Sequence, residues 1–476
     1  MLPDICIRLT QEGIDYRNPV FRRTDGTSRI LAIWDQTIQS GTPPAGFEYG
    51  SEYTQEQINE ALTLDDPLSL VPSDDEIGHG TAMAATAAGS PLNDGLGFIG
   101  VAPDAEIVMV KLKQAKDFIR EFYMIPGDVP AYEVNDIALA VKYINSFLVP
   151  YARPVVFCIG VGRSFGAHQG TSPLDRYLSD ISMDFNRVVV VAGGNEGNAG
   201  HHYMGEIHGA EPVSVELRVE ENTRGFLVEI WGNVPNYFNI SIRSPGGEEV
   251  PMTSSRLKGR WEYSFVYDRT RIQVDYQLND QVTGSEVAVL RFENPSPGIW
   301  TLRLYQESRN ENGTFHMWLP IRQFVEGRVE FLQPVPETTL TSPSYASAVL
   351  TVSAYDSRTN SFYINSGQGF GPQGQIKPDI AAPGVDISTA EGMLRGRTVV
   401  GRATGTSMSA AITSGACAQL LQWAVGRGNY TEINGVGVKN YLVRGAARDV
   451  AYDYPSTQWG YGRLSMEGTF NWIAGI

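Results

Sequence analysis

Four short runs, Ile30–Trp34, Ile107–Leu112, Val155–Ile159 and Val188–Ala192, are apolar almost throughout and rich in β-branched residues. A strand with one wet face alternates apolar and polar residues, so runs that do not alternate predict strands covered on both faces, the state of a parallel sheet between two helix layers. The intervening sequence supplies such helices. Glu133–Leu148 sets Ile137, Val141, Ile144 and Leu148 on one face, and Pro173–Phe185 repeats the pattern behind a proline at a helix start. Strand and helix in alternation predict an α/β fold with a doubly wound, mostly parallel sheet.

That texture is interrupted. Val213–Val219, Gly225–Trp231, Tyr237–Ile242, Trp261–Tyr267, Ile272–Tyr276, Val287–Phe292, Trp300–Tyr305 and Thr314–Leu319 are short strand-like runs separated by turn residues. Close spacing of this kind predicts an antiparallel sandwich or jelly roll. After about Pro334 the chain returns to a buried strand at Ala348–Ala354 and an Ala-rich helix at Thr406–Trp423. The expected organisation is therefore an α/β domain in two parts, 1–204 and 336–476, with an all-β domain inserted at 205–335. Thr37–Ser73, rich in Gly, Pro and acidic residues, is expected to be a surface excursion.

Length and charge narrow the function. The 476 residues carry 37 Lys+Arg against 53 Asp+Glu, a net charge of −16 with no dense basic tract. Neutralising phosphates needs clustered cations, so nucleic acid and anionic membrane are not expected partners. Cys6, Cys158 and Cys417 are too few and too scattered for a disulfide framework or a zinc site, and read as reduced, buried thiols. Met1 is not followed by a basic and then an apolar segment, and no apolar stretch is long enough to span a bilayer. Cytoplasm is the location this favours. Oligomeric state is not legible.

Three segments carry candidate chemistry. Gly78-His79-Gly80-Thr81 opens a helix of small residues, although a lone histidine is more often structural. Gly405-Thr406-Ser407-Met408-Ser409 opens the Ala-rich helix, where a hydroxyl beside free N–H groups and the positive dipole end suits a nucleophile whose product is an oxyanion. Taken alone, Thr406 or Ser407 reads far more often as a plain N-cap. Val188–Ala192 runs into Gly193-Gly194-Asn195-Glu196-Gly197. Ligands sit beyond the carboxyl ends of parallel strands, so Asn195 is placed to donate to a developing negative oxygen. An ordinary Asn turn is the competing reading, and a phosphate loop lacks its lysine and its glycine spacing.

In this order, His-Gly-Thr, Gly-Gly-Asn-Glu-Gly and Gly-Thr-Ser-Met-Ser-Ala resemble the subtilisin-like serine proteases, or subtilases. Gly100-Val101-Ala102-Pro103, Lys377-Pro378-Asp379-Ile380-Ala381-Ala382-Pro383-Gly384 and Trp459-Gly460-Tyr461-Gly462-Arg463 extend the resemblance over the whole α/β portion. Trp34-Asp35-Gln36-Thr37, the acidic excursion and the insert resemble the spore-germination (Csp-type) branch of that family, which implies a spore compartment as the alternative to the cytoplasm. The resemblance implies a serine endopeptidase acting on protein or peptide substrates, with Ser407 as nucleophile, His79 as general base, and Asn195 with the Ser407 N–H holding the oxyanion. It further implies that Ile159 and Gly160 pair with an extended substrate, with Gly194 bordering the pocket for the residue ahead of the scissile bond. No cofactor is expected. Calcium is common in the family, but no carboxylate-rich loop predicts a site.

One piece is absent in register. The family orients its histidine with an aspartate in a pattern resembling Asp-Ser/Thr-Gly-Ile-Asp, and alignment on Gly13-Ile14-Asp15 puts Gln11 at the carboxylate position. The preceding Asp4–Thr10 alternates rather than forming a buried run. Three explanations stay open: a natural start upstream of Met1 with a proper first strand and a pro-region, a catalytically impaired pseudoprotease that binds peptides or a partner, or Asp35 supplying the carboxylate. A carbohydrate-binding role for the insert rests only on Trp231, Trp261 and Trp300, which at strand spacing are more often core.

Overall fold

In the computed structural model the described residues are 6–92, 97–146, 153–209, 211–253, 259–306, 313–394 and 396–475; of Cys6–Gln11 only Ile7 is described beyond the backbone. Among the described residues the apolar runs form one nine-stranded sheet. Its order is Ser361–Phe362, Leu350–Asp356, Arg187–Ala192, Val155–Ile159, Cys6–Gln11, Glu106–Lys111, Ile30–Asp35, Ser51–Thr54, with Ile380–Pro383 also paired to Leu350–Asp356. All pairs are parallel except the two outermost, Ile30–Asp35 with Ser51–Thr54 and Leu350–Asp356 with Ser361–Phe362.

The first strand corrects an expectation. Cys6–Gln11 lies at the centre of the sheet, hydrogen-bonded in register to Glu106–Lys111 on one side and Val155–Ile159 on the other, with Ile7 fully buried. The excursion Thr37–Ser73 is also more than surface. It contributes the antiparallel edge strand Ser51–Thr54 and the capped helix Gln55–Ala61, and it packs Phe47 and Tyr49 against the buried Trp34.

Two helices lie together on one face of the sheet. The histidine helix, His79–Ala88, is buried from Gly80 onward, and its alanines let the serine helix, Thr406–Leu421, come close. A Cβ added at Gly415 would stand 2.9 Å from the carbonyl oxygen of Ala87, so glycine is required at that crossing. Neither helix has a polar face, as expected of helices enclosed on all sides. Val134–Ser146 and Pro173–Met183 cover the opposite face, their buried residues sharing a cluster with Val108, Phe157 and Val191.

Strands between His202 and Phe331 build two further antiparallel sheets. The five-stranded one runs Glu249–Thr253, Phe238–Arg243, Gly298–Gln306, Val213–Val219, Val329–Phe331. The six-stranded one runs Arg260–Ser264, Arg271–Gln277, Glu286–Glu293, Gly225–Gly232, Gly313–Trp318, His202–Ile207. Leu217, Ile240, Trp300 and Leu302 of the first and Val228, Ile230, Leu290 and Phe315 of the second share a single core, as in a β-sandwich. Trp300 is fully buried and donates to Ser296 O, so one of the three tryptophans considered for sugar stacking is committed inside the protein, while Trp231 is half-buried and donates to Glu229.

Candidate active site

Backbone N–H groups at the two helix starts determine how the site is assembled. The histidine helix is capped from outside: Asp75 accepts Gly78 N at 2.8 Å through Oδ1, and Thr81 N at 2.8 Å and Thr81 Oγ1 at 2.6 Å through Oδ2. A carboxylate there satisfies orphan donors and sits at the positive end of the helix dipole. The Thr81 hydroxyl in turn accepts Asp15 N at 2.8 Å, lacing the chain that leaves the first strand to the first turn of this helix.

Between strand and lacing lies Glu12. Its Oε2 is 3.0 Å from His79 Nδ1, and His79 Nε2 is 2.9 Å from Ser407 Oγ. Gly13, with φ +146°, makes the sharp exit that this needs, since a Cβ there would lie 2.6 Å from Asp74 O. The carboxylate that sequence register assigned to the Gln11 position is therefore supplied one residue later, by a side chain one methylene longer. Asp35 is elsewhere: wholly buried, it accepts Thr37 N at 2.8 Å, Thr37 Oγ1 at 2.5 Å and Ser73 Oγ at 2.7 Å, holding the turn after its strand.

The electrostatics of the pair are mutually supporting. Burial alone pushes the Glu12 carboxyl up, but the hydrogen bond and charge of His79 outweigh it and hold the group below the usual carboxylate range. Burial likewise pushes His79 down, and the hydrogen bond and charge of Glu12, with a contribution from Asp75, bring it above the ordinary imidazole value. The His79 side chain keeps 31% of its surface accessible and Glu12 only 11%, so the ring meets the cleft while its acid is covered.

Asn195 is oriented by the serine helix. Its Oδ1 accepts Thr406 N at 3.0 Å and Thr406 Oγ1 at 3.3 Å, while Thr406 Oγ1 accepts Gly194 N at 3.0 Å. Because the oxygen is occupied by a backbone donor, the NH₂ end must face the other way. A Cβ added at Gly405 would sit 3.3 Å from Asn195 Nδ2 and 3.5 Å from Ser407 Oγ, so glycine keeps the space between them open. Ser407, 8% exposed, is the second residue of its helix, where the backbone N–H has no intrahelical partner.

These groups border one cleft of about 920 Å³. Ile159, Gly160 and Gly194 line it together with Glu12, His79, Asn195 and Ser407. The sequence-predicted residues thus all meet in one place, and Glu12 is the addition. Its signal was present: a carboxylate adjacent to the expected position, just ahead of Gly13-Ile14-Asp15.

The sequence profile of the Subtilase family matches residues 5–216 and 332–462. The chain belongs to the subtilase family. The two matched stretches flank most of the β-insert, which lies outside the shared pattern. Among solved structures, the CspB protease of Clostridium perfringens is 27% identical, with a TM-score of 0.86 over 99% of this chain and 93% of that one. The protease domain of PatA and Sphericase align at 15% and 13% identity with TM-scores of 0.48, over 100% and 97% of this chain and 98% and 91% of theirs. No curated protein sequence matches the chain. Among the described residues, no group of three or more His, Cys, Asp or Glu side chains is placed to hold a metal ion, and no helix is long and apolar enough to cross a membrane.

Proposed function

We propose that this subtilase is an active serine endopeptidase whose charge relay is Glu12–His79–Ser407. The observation that carries the reading is the unbroken contact from Glu12 Oε2 through both ring nitrogens of His79 to Ser407 Oγ, at 3.0 and 2.9 Å. Glu12 accepts from Nδ1–H, which fixes the tautomer and leaves Nε2 to take the serine proton. As Ser407 Oγ bonds to the scissile carbonyl carbon, the proton passes to His79, and the imidazolium that forms is stabilised by the Glu12 carboxylate. The carbonyl oxygen becomes an oxyanion, met by Asn195 Nδ2 and the Ser407 N–H. Collapse expels the amine, which leaves with the proton from His79. Water then repeats the sequence on the acyl-enzyme, releasing the acid and restoring Ser407.

An extended peptide would lie along Ile159 and Gly160, gaining affinity from main-chain hydrogen bonds, with Gly194 beside the side chain ahead of the scissile bond. A carboxylate on His79 Nδ1 supports this reading over that of an impaired protein that binds peptides or a partner. The test is a fluorophosphonate probe. Wild type is expected to be labelled, with labelling lost in Ser407→Ala and strongly slowed in His79→Ala. An unlabelled, folded wild-type protein would defeat the proposal.

A further inference from the structure

The loop that carries Asn195 is held from two sides. One side is the serine helix, through Thr406. The other is the insert. Glu196, 8% exposed and lining the cleft, accepts the backbone N–H of Arg322 at 3.0 Å through Oε2. Arg322 Nη2 donates to Asn198 O at 2.9 Å, His201 Nδ1 donates to Pro320 O at 2.6 Å, and Leu319 N donates to His201 O at 2.9 Å. Residues 319–322, where the insert's last long strand ends, are thus laced to 196–201, and Pro320, Ile321, Arg322 and Phe324 form part of the cleft wall.

The insert also bonds to two segments next to the cleft. Glu229 accepts Gly166 N at 2.9 Å, in the segment that follows the substrate-side strand. Arg291 donates to Phe122 O at 3.1 Å and Glu121 O at 3.3 Å, at the end of the helix Asp117–Tyr123, whose Ile119 and Tyr123 face the cleft. The inserted domain, most of which lies outside the family pattern, therefore bonds to three segments at or beside the site, and the contact nearest the reacting atoms passes through Glu196.

We propose that Glu196 is a positioning residue through which the inserted β-domain sets Asn195, and with it the oxyanion donor, against Ser407. This rests on the peptidase reading above. A carboxyl group buried beside a cleft is costly to keep unless its bonds are used. Burial pushes Glu196 up to about 7, and the Arg322 N–H and the Arg322 charge oppose that shift only in part. Glu196 does not touch the substrate in this proposal. It acts by fixing the backbone that follows Asn195, so its loss should lower kcat and leave KM nearly unchanged.

The experiment compares wild type with Glu196→Ala, Glu196→Gln, Asn195→Ala, the Asn195→Ala/Glu196→Ala pair, Arg322→Ala and Arg322→Pro, using an internally quenched peptide and amide hydrogen exchange. Since sub-ångström misplacement near the reacting atoms is expensive, Glu196→Ala should lower kcat about 10- to 100-fold with KM within about twofold. Glu196→Gln keeps an oxygen acceptor and should retain most of the rate. Arg322→Pro removes the donor N–H and should resemble Glu196→Ala, whereas Arg322→Ala keeps that N–H, loses only the side-chain bond to Asn198 O and should lower kcat less. In the Asn195→Ala background the Glu196→Ala loss should largely vanish, and exchange at 193–199 should rise in Glu196→Ala. An unchanged kcat, an additive double mutant, or a glutamine variant as impaired as alanine overturns the proposal. If wild type shows neither turnover nor fluorophosphonate labelling, the peptidase reading fails separately, and unchanged exchange at 193–199 in Glu196→Ala overturns the role of Glu196.

Discussion

Glu12 Oε2 and His79 Nδ1 meet at 3.0 Å although the first strand ends one residue before Glu12. The pairing depends on a glycine turn at Gly13 and on the Asp15–Thr81–Asp75 lacing that fixes the loop to the histidine helix. Carboxylate and ring are therefore positioned by backbone contacts rather than by the strand itself.

Glu12→Gln should keep the contact and lose the charge. The imidazolium formed during attack would then lack its counter-ion, and loss of the corresponding acid in subtilisin lowers kcat about 3 × 10⁴-fold. A fall of about 10³- to 10⁴-fold in kcat is expected here, measured with active-site-titrated enzyme at unchanged melting temperature. A variant retaining more than a tenth of the activity would contradict the relay.

The same pair sets the pH profile. His79 must be neutral to accept the serine proton, and Glu12 holds its pKa above the ordinary imidazole value. Activity in kcat/KM should therefore rise with pH through an apparent pKa above 6.5. Glu12→Gln should move that limb to lower pH, because burial then acts on His79 with its main opposing partner gone.

Asn195→Ala should act on the transition state alone. Removal of one such donor costs about 10²- to 10³-fold in kcat in a subtilisin, and a similar loss with nearly constant KM is expected. Steady-state kinetics at saturating peptide read it directly.

Gly405→Ala joins backbone strain to obstruction. The residue has φ +153°, and the added methyl would stand 3.3 Å from Asn195 Nδ2 and 3.5 Å from Ser407 Oγ. Fluorophosphonate labelling should fall at least tenfold while circular dichroism shows a folded protein, with a stability loss of about 1–2 kcal/mol.

A buried histidine group predicts a stability signature. His202 donates from Nδ1 to Val335 O and is bonded at Nε2 to His316 Nδ1 at 2.9 Å, both stack on Trp318, and His168 packs on the same indole at 4.0 Å. Burial brings His202 down to about 3 and His316 to about 4, with each other's charge adding to the effect on His202. Folded values below the unfolded value mean that stability is present above about pH 6.5 and lost as pH falls toward 4. His316→Asn should therefore lose stability less steeply than wild type over that interval, by up to about 1.4 kcal/mol per pH unit. Equal slopes in urea titrations at pH 6.5, 5.5 and 4.5 would remove the histidine from the account.

The sheet and the insert were legible because burial on two faces and alternation on one leave different marks on sequence, as Val188–Ala192 and Val213–Val219 illustrate. The serine, histidine and asparagine were legible because each needs small neighbours or glycine at a helix start or strand exit. The central strand Cys6–Gln11 was not, since its sequence alternates as an exposed strand would. Glu12 was missed for a related reason. Register fixed by Gly13-Ile14-Asp15 tracks the backbone, while the requirement is only that an oxygen reach Nδ1, and a longer side chain meets it from a neighbouring position. The tie between Glu196 and Arg322 joins residues 126 apart in the chain and leaves no local pattern at all.

Thr406 bonds to both Gly194 N and Asn195 Oδ1 while standing next to Ser407. Nucleophile and oxyanion donor are thereby tied to the same helix start, so a displacement of that end carries both together.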